Sequence, residues 1–401
     1  NFNTIAGGTF SGDVYNEGLI QGGTFNGLVD VGLYGGISGG MFNGTVLQEN
    51  YMPWTIGGGT FTGHLIQYGD AGSIAGGDFS GLSTLEIADP WAVWDYNTAV
   101  GGDVTNNGTI SAGTFNSIVK NYGAISGGAF TGSVTNQSTI SGGAFNLSGD
   151  YTQTAGSFSG VTAAMSAANV DLQGGSMTLA GGLDVSGDLT IGSGAALDLA
   201  GNNIATTTNI TNNGTLILQG GESISDDDVL NNDGSLVRYN GTSGPYPLQE
   251  WDYYDLTLAG DALYYVGSAS FRNAGVIEEN ARALIMPSIT AEDKVYDGTT
   301  EATLSAMSLH NIFTAYDVYG ANWNPVFDSK DVGTSKLVTA TVELGGADAG
   351  KFVAGPIEGV ASITAKALAV TGMGAESRVY DGTPDAELDY TGAMLDGMSG
   401  S

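Results

Sequence analysis

Residues 104–145 read VTNNGTISAGTFNSI, then VKNYGAISGGAFTGS, then VTNQSTISGGAF. Placed under one another, the three lines align Ile110, Ile125 and Ile140 in one column and Phe115, Phe130 and Phe145 in another. The shared frame is Ile-x-Gly-Gly-x-Phe, with Ala112 replacing one glycine. Toward the N-terminus the frame starts again at Ile5, Ile20, Ile37, Ile56 and Ile74, and Phe10, Phe25, Phe42, Phe61 and Phe79 follow five residues later. A degenerate copy reads as ending at Phe158, with Gln153 in place of Ile. Phe79 and Phe115 are 36 residues apart, which reads as two coils, one without its Phe around residues 100–104.

Apart from that gap, successive Phe residues are 13 to 19 residues apart. This is too short for a helical repeat of ~34 residues. It suits one turn of a narrow parallel β-solenoid, whose coils stack at the interstrand spacing of ~4.8 Å. The Ile and Phe columns then face inward, and Gly-Gly lets the backbone bend beside the ring. Between frames, Val14-Tyr15-Asn16-Glu17-Gly18, Val104-Thr105-Asn106-Asn107-Gly108 and Val134-Thr135-Asn136-Gln137-Ser138 alternate apolar and turn residues. Asn-Gly marks tight corners. The expected unit is short strand, Gly corner, short strand, Asn/Gly corner. Sixteen or so such coils predict a rod ~75 Å long.

From about residue 161 the ladder residues become Leu172, Met177, Leu179, Leu183, Val185, Leu189, Ile191, Leu197 and Leu199, punctuated by Asn-rich corners. The solenoid is therefore predicted over 1–160 and, in a second dialect, 161–285. Pro287 marks a boundary. Beyond it Val295-Tyr296-Asp297-Gly298-Thr299 recurs 84 residues later as Val379-Tyr380-Asp381-Gly382-Thr383, a domain-sized period. This places one β domain at 286–366 and a partial second unit at 367–401.

Composition removes several function classes. There is no Cys, so disulfide frameworks, thiolate zinc sites and Cys nucleophiles are excluded. His64 and His310 are the only histidines, which argues against a His-rich metal or catalytic centre. The formal charge of −32 opposes nucleic-acid binding, since phosphate needs Lys or Arg to displace its counterions. No apolar run approaches the ~20 residues needed to span a bilayer. Charged residues are 13% and hydrophobic residues 41%, the reverse of a disordered chain.

The two Tyr-Asp-Gly segments resemble the YDG domain, a small β-rich module of very large bacterial surface proteins. Phe327-Asp328-Ser329-Lys330-Asp331-Val332-Gly333-Thr334 is similar to the family's central segment. Leu344-Gly345-Gly346-Ala347-Asp348-Ala349-Gly350-Lys351-Phe352 is similar to its later signature, with Lys351-Phe352 where Asn-Tyr is usual. Ile363-Thr364-Ala365-Lys366 is similar to the closing strand, with Ala365 where Pro is usual. Residues 161–275, through Thr208-Asn209-Ile210-Thr211-Asn212-Asn213-Gly214-Thr215-Leu216, resemble the repeats of filamentous-haemagglutinin-like adhesins. Together these resemblances imply an all-β protein, a β-solenoid followed by small β-sandwich-like YDG domains. They also imply export, exposure at the bacterial cell surface and a structural or adhesive role, and no catalytic residues.

Candidate contacts are few. Trp91, Trp94 and Asp95 in an irregular loop, and Tyr246 and Trp251 in a Tyr-rich stretch, are the aromatic–acidic sets that a glycan-binding patch or a paired-carboxylate glycosidase would use. A plain loop packed on its coil is the competing reading. Asp89 and Asp103 extend the carboxylate set. Glu222, Asp226, Asp227 and Asp228 are the candidate oxygen ligands for Ca²⁺, against a solvated acidic turn. The eight Gly-Gly-x-Phe copies are solenoid corners, because a phosphate loop needs a following helix. Asn-x-Thr/Ser at Asn43, Asn107, Asn136, Asn146, Asn213 and Asn240 is read as turn chemistry.

Ile5 already lies in a repeat with no cap before it. Either further coils precede it or the open edge docks onto another subunit. The expectation is a non-enzymatic extracellular rod that partners itself head to tail or other surface proteins. Glycans are the alternative ligand, and a polysaccharide lyase or hydrolase is the third reading.

Overall fold

A computed structural model describes residues 3–32, 34–49, 56–68, 74–88, 93–94, 99–161, 163–206, 208–225, 229–265, 269–278, 280–310 and 313–397. The chain divides into two compact units, Asn1–Tyr264 with Ser268–Ala281, and Tyr265–Gly267 with Arg282–Ser401.

The first unit is a parallel β-solenoid of about 13 turns. Its longest sheet has 13 strands, from Val14–Asn16 to Leu230–Asn231. In the regular part each coil makes three short strands, as in Val119–Asn121, Ala124–Ile125 and Ala129–Phe130. The repeat pattern led to an expectation of two. The third follows from side-chain alternation. Ile125 and Phe130 are five residues apart, so on one straight strand they would face opposite ways. Both face the core, so the chain must turn between them. A second corner, residues 131–133, separates Phe130 from Val134, which is also buried.

The turns number about 13 rather than sixteen because the coil lengthens along the chain. Asn121 and Asn136 are 15 residues apart on successive coils, whereas Asp188 and Asn209 are 21 apart.

Stacking in register turns each repeated residue into a column. Phe10, Phe25, Phe42, Phe61 and Phe79 stack face to face with centroids 4.7–5.0 Å apart and planes within 10°. Phe115, Phe130 and Phe145 form a second run at 5.0 and 4.8 Å. The spacing is that of the strands themselves, so backbone pairing and ring contact reinforce each other. Burying each ring contributes roughly 1.5–3 kcal/mol. The glycine two residues before each ring is required twice over. Gly143 has φ 111°, and a Cβ there would sit 3.2 Å from both the Phe145 ring and the Gly128 carbonyl oxygen.

The interval between the two Phe runs is closed by an unexpected residue. Val100 pairs with Phe115 and so occupies the Phe column. Trp94 pairs with Ile110 and so occupies the Ile column, where its indole meets Phe79 edge-on at 5.5 Å. A large ring in one column compensates a small side chain in the next. Phe158 corrects the sequence reading in the same way. It pairs with Ile140, not Phe145, so it continues the Ile column, while Gln153 pairs with Asn136.

That last pairing belongs to a third column, of buried polar side chains. Asn106, Asn121, Asn136 and Gln153 lie above one another and are fully buried. Asn106 Nδ2 donates to Asn121 Oδ1 at 2.6 Å, and Asn121 Nδ2 to Asn136 Oδ1 at 2.8 Å. Each amide also serves its own corner: Asn106 Oδ1 accepts from Gly108 N–H, and Asn136 Oδ1 from Ser138 N–H. Val31, Ile87, Leu172 and Ile191 take the same column elsewhere, so the position accepts either a bonded amide or a branched apolar group.

The second unit is built differently. Lys294–Val295, Ile357–Thr364, Gly333–Gly345 and Tyr319–Phe327 form one four-stranded sheet in that order. Ser288–Ala291 and Leu304–Ser308 pair antiparallel as a separate two-stranded layer. Between the layers Phe327, Val338, Ala361 and Ile363 form the core, with Ile289, Ala291, Tyr296 and Ala302 packed against them. Among the described residues the single helical turn, Ala349–Lys351, is a 3-10 turn.

Candidate functional site

The residues singled out from sequence do not converge. Trp91, Asp95, Asp89 and Asp226–Asp228 lie outside the described residues. Trp94 is fully buried, so it is a core residue and not a ligand contact. Its Nε1 has no hydrogen-bond partner among the described residues. Trp251 is 4% exposed and tilts against Tyr253 at 5.9 Å, which also removes it from any ligand surface. Tyr246 is half-buried, and its hydroxyl meets Ser243 Oγ at 2.8 Å.

Glu222 is buried, and its two carboxylate oxygens accept from the N–H groups of Gln219 at 2.5 Å and Gly220 at 2.6 Å. Those bonds make it the cap of its own turn, while the three aspartates read with it as Ca²⁺ ligands lie outside the described residues. Among the described residues no group of three or more His, Asp or Glu is placed to hold a metal ion. Asp103 Oδ1 accepts from Ile118 N–H of the next coil, and His64 stands 3.8 Å from Glu86, so both belong to the coil surface.

The Tyr-rich stretch is structural. Tyr239 and Tyr253 share a hydroxyl contact at 3.0 Å, and Tyr253 donates to the Gln249 carbonyl at 2.6 Å. Gly241 N–H donates to Tyr264 Oη at 2.7 Å. Burial raises all three phenols, Tyr264 to about 12, so they stay neutral hydrogen-bond partners. Beside them Arg238 makes a bidentate pair with Glu278 at 2.6 and 2.9 Å. Arg272 bonds Asp233, Asp252 and the Asn231 carbonyl. The last contact covers the edge strand Leu230–Asn231, where the 13-stranded sheet ends.

The organised polar constellation is the turn after Lys294. Asp297 Oδ1 accepts from Thr299 N–H and Thr299 Oγ1, both at 2.9 Å. Lys294 Nζ closes the ring from outside, donating to Asp297 Oδ1 at 2.9 Å, the Thr299 carbonyl at 2.9 Å and the Glu301 carbonyl at 2.8 Å. The ammonium lies 5.6 Å from the Phe327 ring centroid. The Lys294 ammonium, then the Thr299 donors, hold the Asp297 carboxyl down at about 2. Gly298 makes the turn at φ 83°.

The same device recurs 84 residues on. Arg378 donates to Asp381 Oδ2 at 2.9 Å and to Thr383 Oγ1 at 2.9 Å, and Asp381 Oδ1 accepts from Thr383 N–H at 3.0 Å. The motif is therefore a cation three residues before the Asp, a glycine at positive φ, and a threonine that clamps the carboxylate.

Residues 280–358 match the YDG domain. The Tyr-Asp-Gly residues of the YDG domain here form a clamped turn, and the strand Ile357–Thr364 that closes its sheet runs past the matched segment. No curated protein and no solved structure matches the chain.

Proposed function

We propose that this chain is a non-enzymatic structural rod of a bacterial cell surface or extracellular matrix. In this reading the solenoid bears load, and its partners are further copies of this chain or other surface proteins. The observation that carries the proposal is the continuous stack: 13 strands in one parallel sheet, over columns of stacked side chains. Bending or stretching such a stack breaks backbone pairs and ring contacts together. The YDG domain and the solenoid together are compatible with a structural or adhesin-like protein. Export rests on the resemblance to bacterial surface proteins. Among the described residues no helix is long and apolar enough to cross a membrane.

A rod is favoured over a glycan-binding stalk because Trp94 and Trp251 are committed to the core. It is favoured over an enzyme because Glu222, Asp103, Asp297 and Glu278 are engaged by a turn, a coil edge, a clamp and an ion pair.

Electron microscopy of the purified chain, with Ca²⁺ and with chelator, tests the proposal. Ordered filaments or stiff rods are expected. Flexible beads, or turnover of a polysaccharide, would remove it.

A further inference from the structure

Asn-Gly occurs five times, at Asn26-Gly27, Asn43-Gly44, Asn107-Gly108, Asn213-Gly214 and Asn240-Gly241. Glycine has no side chain to shield its main-chain nitrogen. That nitrogen closes a five-membered ring on the preceding carboxamide when nothing else holds it. The fold divides the five pairs on this point.

At three of them the glycine N–H is occupied. Gly108 N–H donates to Asn106 Oδ1 and Gly214 N–H to Asn212 Oδ1, both at 3.1 Å. Gly241 N–H donates to Tyr264 Oη at 2.7 Å. All three glycines are buried. At the other two pairs, Gly27 N–H and Gly44 N–H have no hydrogen-bond partner among the described residues. Both glycines are half-buried, and Asn26 and Asn43 before them are exposed. The two pairs follow Phe25 and Phe42, which are partners on successive coils, so they share one corner of the solenoid. Packing demands glycine there. A Cβ on Gly27 would stand 2.6 Å from the Gly12 carbonyl carbon, and one on Gly44 would overlap the Gly27 carbonyl oxygen. The corner thus requires the residue that makes the asparagine before it vulnerable.

The two carboxamides are also polarised. Asn43 Nδ2 donates to Asn26 Oδ1 at 2.9 Å, and Thr62 Oγ1 donates to Asn43 Oδ1 at 3.0 Å. A donor on that oxygen stabilises the negative charge that develops there as the nitrogen attacks Cγ.

We propose that Asn26 and Asn43 are modification sites, where the chain converts its own asparagine to aspartate and isoaspartate, while the fold protects Asn107, Asn213 and Asn240. The glycine nitrogen gives its proton to solvent base and bonds to Cγ. The carboxamide nitrogen then leaves as ammonia, and a succinimide remains. Water opens the ring at either carbonyl, giving aspartate, or isoaspartate with the backbone routed through the side chain. One water is consumed and one ammonia released, and nothing is oxidised or reduced. The two sites differ in consequence. Reaction at Asn43 removes the donor of its bond to Asn26 and cuts a tie between coils, whereas reaction at Asn26 leaves an acceptor in place. Each conversion adds a negative charge to a chain already at −32.

The test is incubation of the intact protein in mildly alkaline buffer. Peptide maps are then read by mass spectrometry with electron-transfer fragmentation, which separates aspartate from isoaspartate. A parallel sample in urea measures the five pairs without the fold, where comparable rates are expected. In the folded protein Asn26 and Asn43 should convert about tenfold or more faster than the other three. Asn213 is the sharpest control: its Oδ1 also accepts a donor, Asn232 Nδ2 at 2.7 Å, but its glycine nitrogen is occupied. Thr62→Val, at an exposed position, should slow conversion at Asn43 severalfold and leave Asn26 unchanged. Equal rates at all five pairs of the folded protein, faster conversion at any of the three bonded pairs, or no conversion at Asn26 and Asn43 while the urea sample reacts would overturn the proposal. An unchanged Asn43 rate in Thr62→Val would overturn the part assigned to the threonine donor.

Discussion

Asn121 shows how one buried residue can act in two directions. Its amide bonds Asn136 on the next coil and accepts from Asn106 on the previous one. Asn121→Ala takes one of two bonds from Asn106 Nδ2, which keeps the Ala124 carbonyl, and one of two from Asn136 Oδ1, which keeps Ser138 N–H, at a cost of about 1–3 kcal/mol. Asn121→Leu, copying Leu172 in the same column, loses the same two bonds but fills the space, so its loss should be smaller than that of Asn121→Ala. Chemical denaturation of the two variants compares them directly. Asp297 is a residue-scale pH sensor of the YDG domain. Its folded pKa, about 2, lies below the ordinary 3.8, so its clamp stabilises fully above 3.8 and is lost as pH falls through 2. The melting temperature of the second unit should drop between pH 4 and pH 2, and Asp297→Asn should flatten that part of the profile.

Strands of two or three residues hold no shape alone, so the element that matters is the column. Phe130 stacks on Phe115 below and Phe145 above. Phe130→Ala therefore opens a cavity between two rings and should cost about 3–5 kcal/mol, read from the unfolding midpoint. The ends of the long sheet are elements of another kind, since an uncovered edge invites pairing. Arg272 covers the Leu230–Asn231 edge through the Asn231 carbonyl, and its guanidinium lies 5.5 Å from the Tyr254 ring centroid. Arg272→Ala should speed amide exchange over 229–236 while leaving 119–136 unchanged.

For the whole molecule, the balance of 42 acidic against 10 basic residues sets the dominant long-range force. Like charges on a stacked coil repel along its length, and salt screens them with a Debye length of ~10 Å at 0.1 M. Raising the ionic strength from low salt to about 0.3 M should raise the melting temperature of the solenoid; a fall would mean that ion pairs such as Arg238–Glu278 outweigh the repulsion.

The solenoid was legible because a repeat states the same instruction many times. Ile and Phe five residues apart, with glycine between, demand an inward-facing pair and a bend. The YDG domain was legible from separate motifs in a fixed order. Other features depended on register, which no single coil contains. Trp94 reads in sequence as an exposed loop aromatic. Only stacking puts it in the Ile column beside a small Val100, where a large ring fills the gap. Phe158 and Gln153 looked like a worn repeat, yet pairing moved each into a different column. Asn106, Asn121 and Asn136 looked like corner residues, and alternation along a three-residue strand turned them inward. Sequence alone thus determined which side chains recur and that coils must stack. Tertiary structure decided what each one touches, because a neighbour one coil away is 15 to 21 residues distant and coil length varies along the chain.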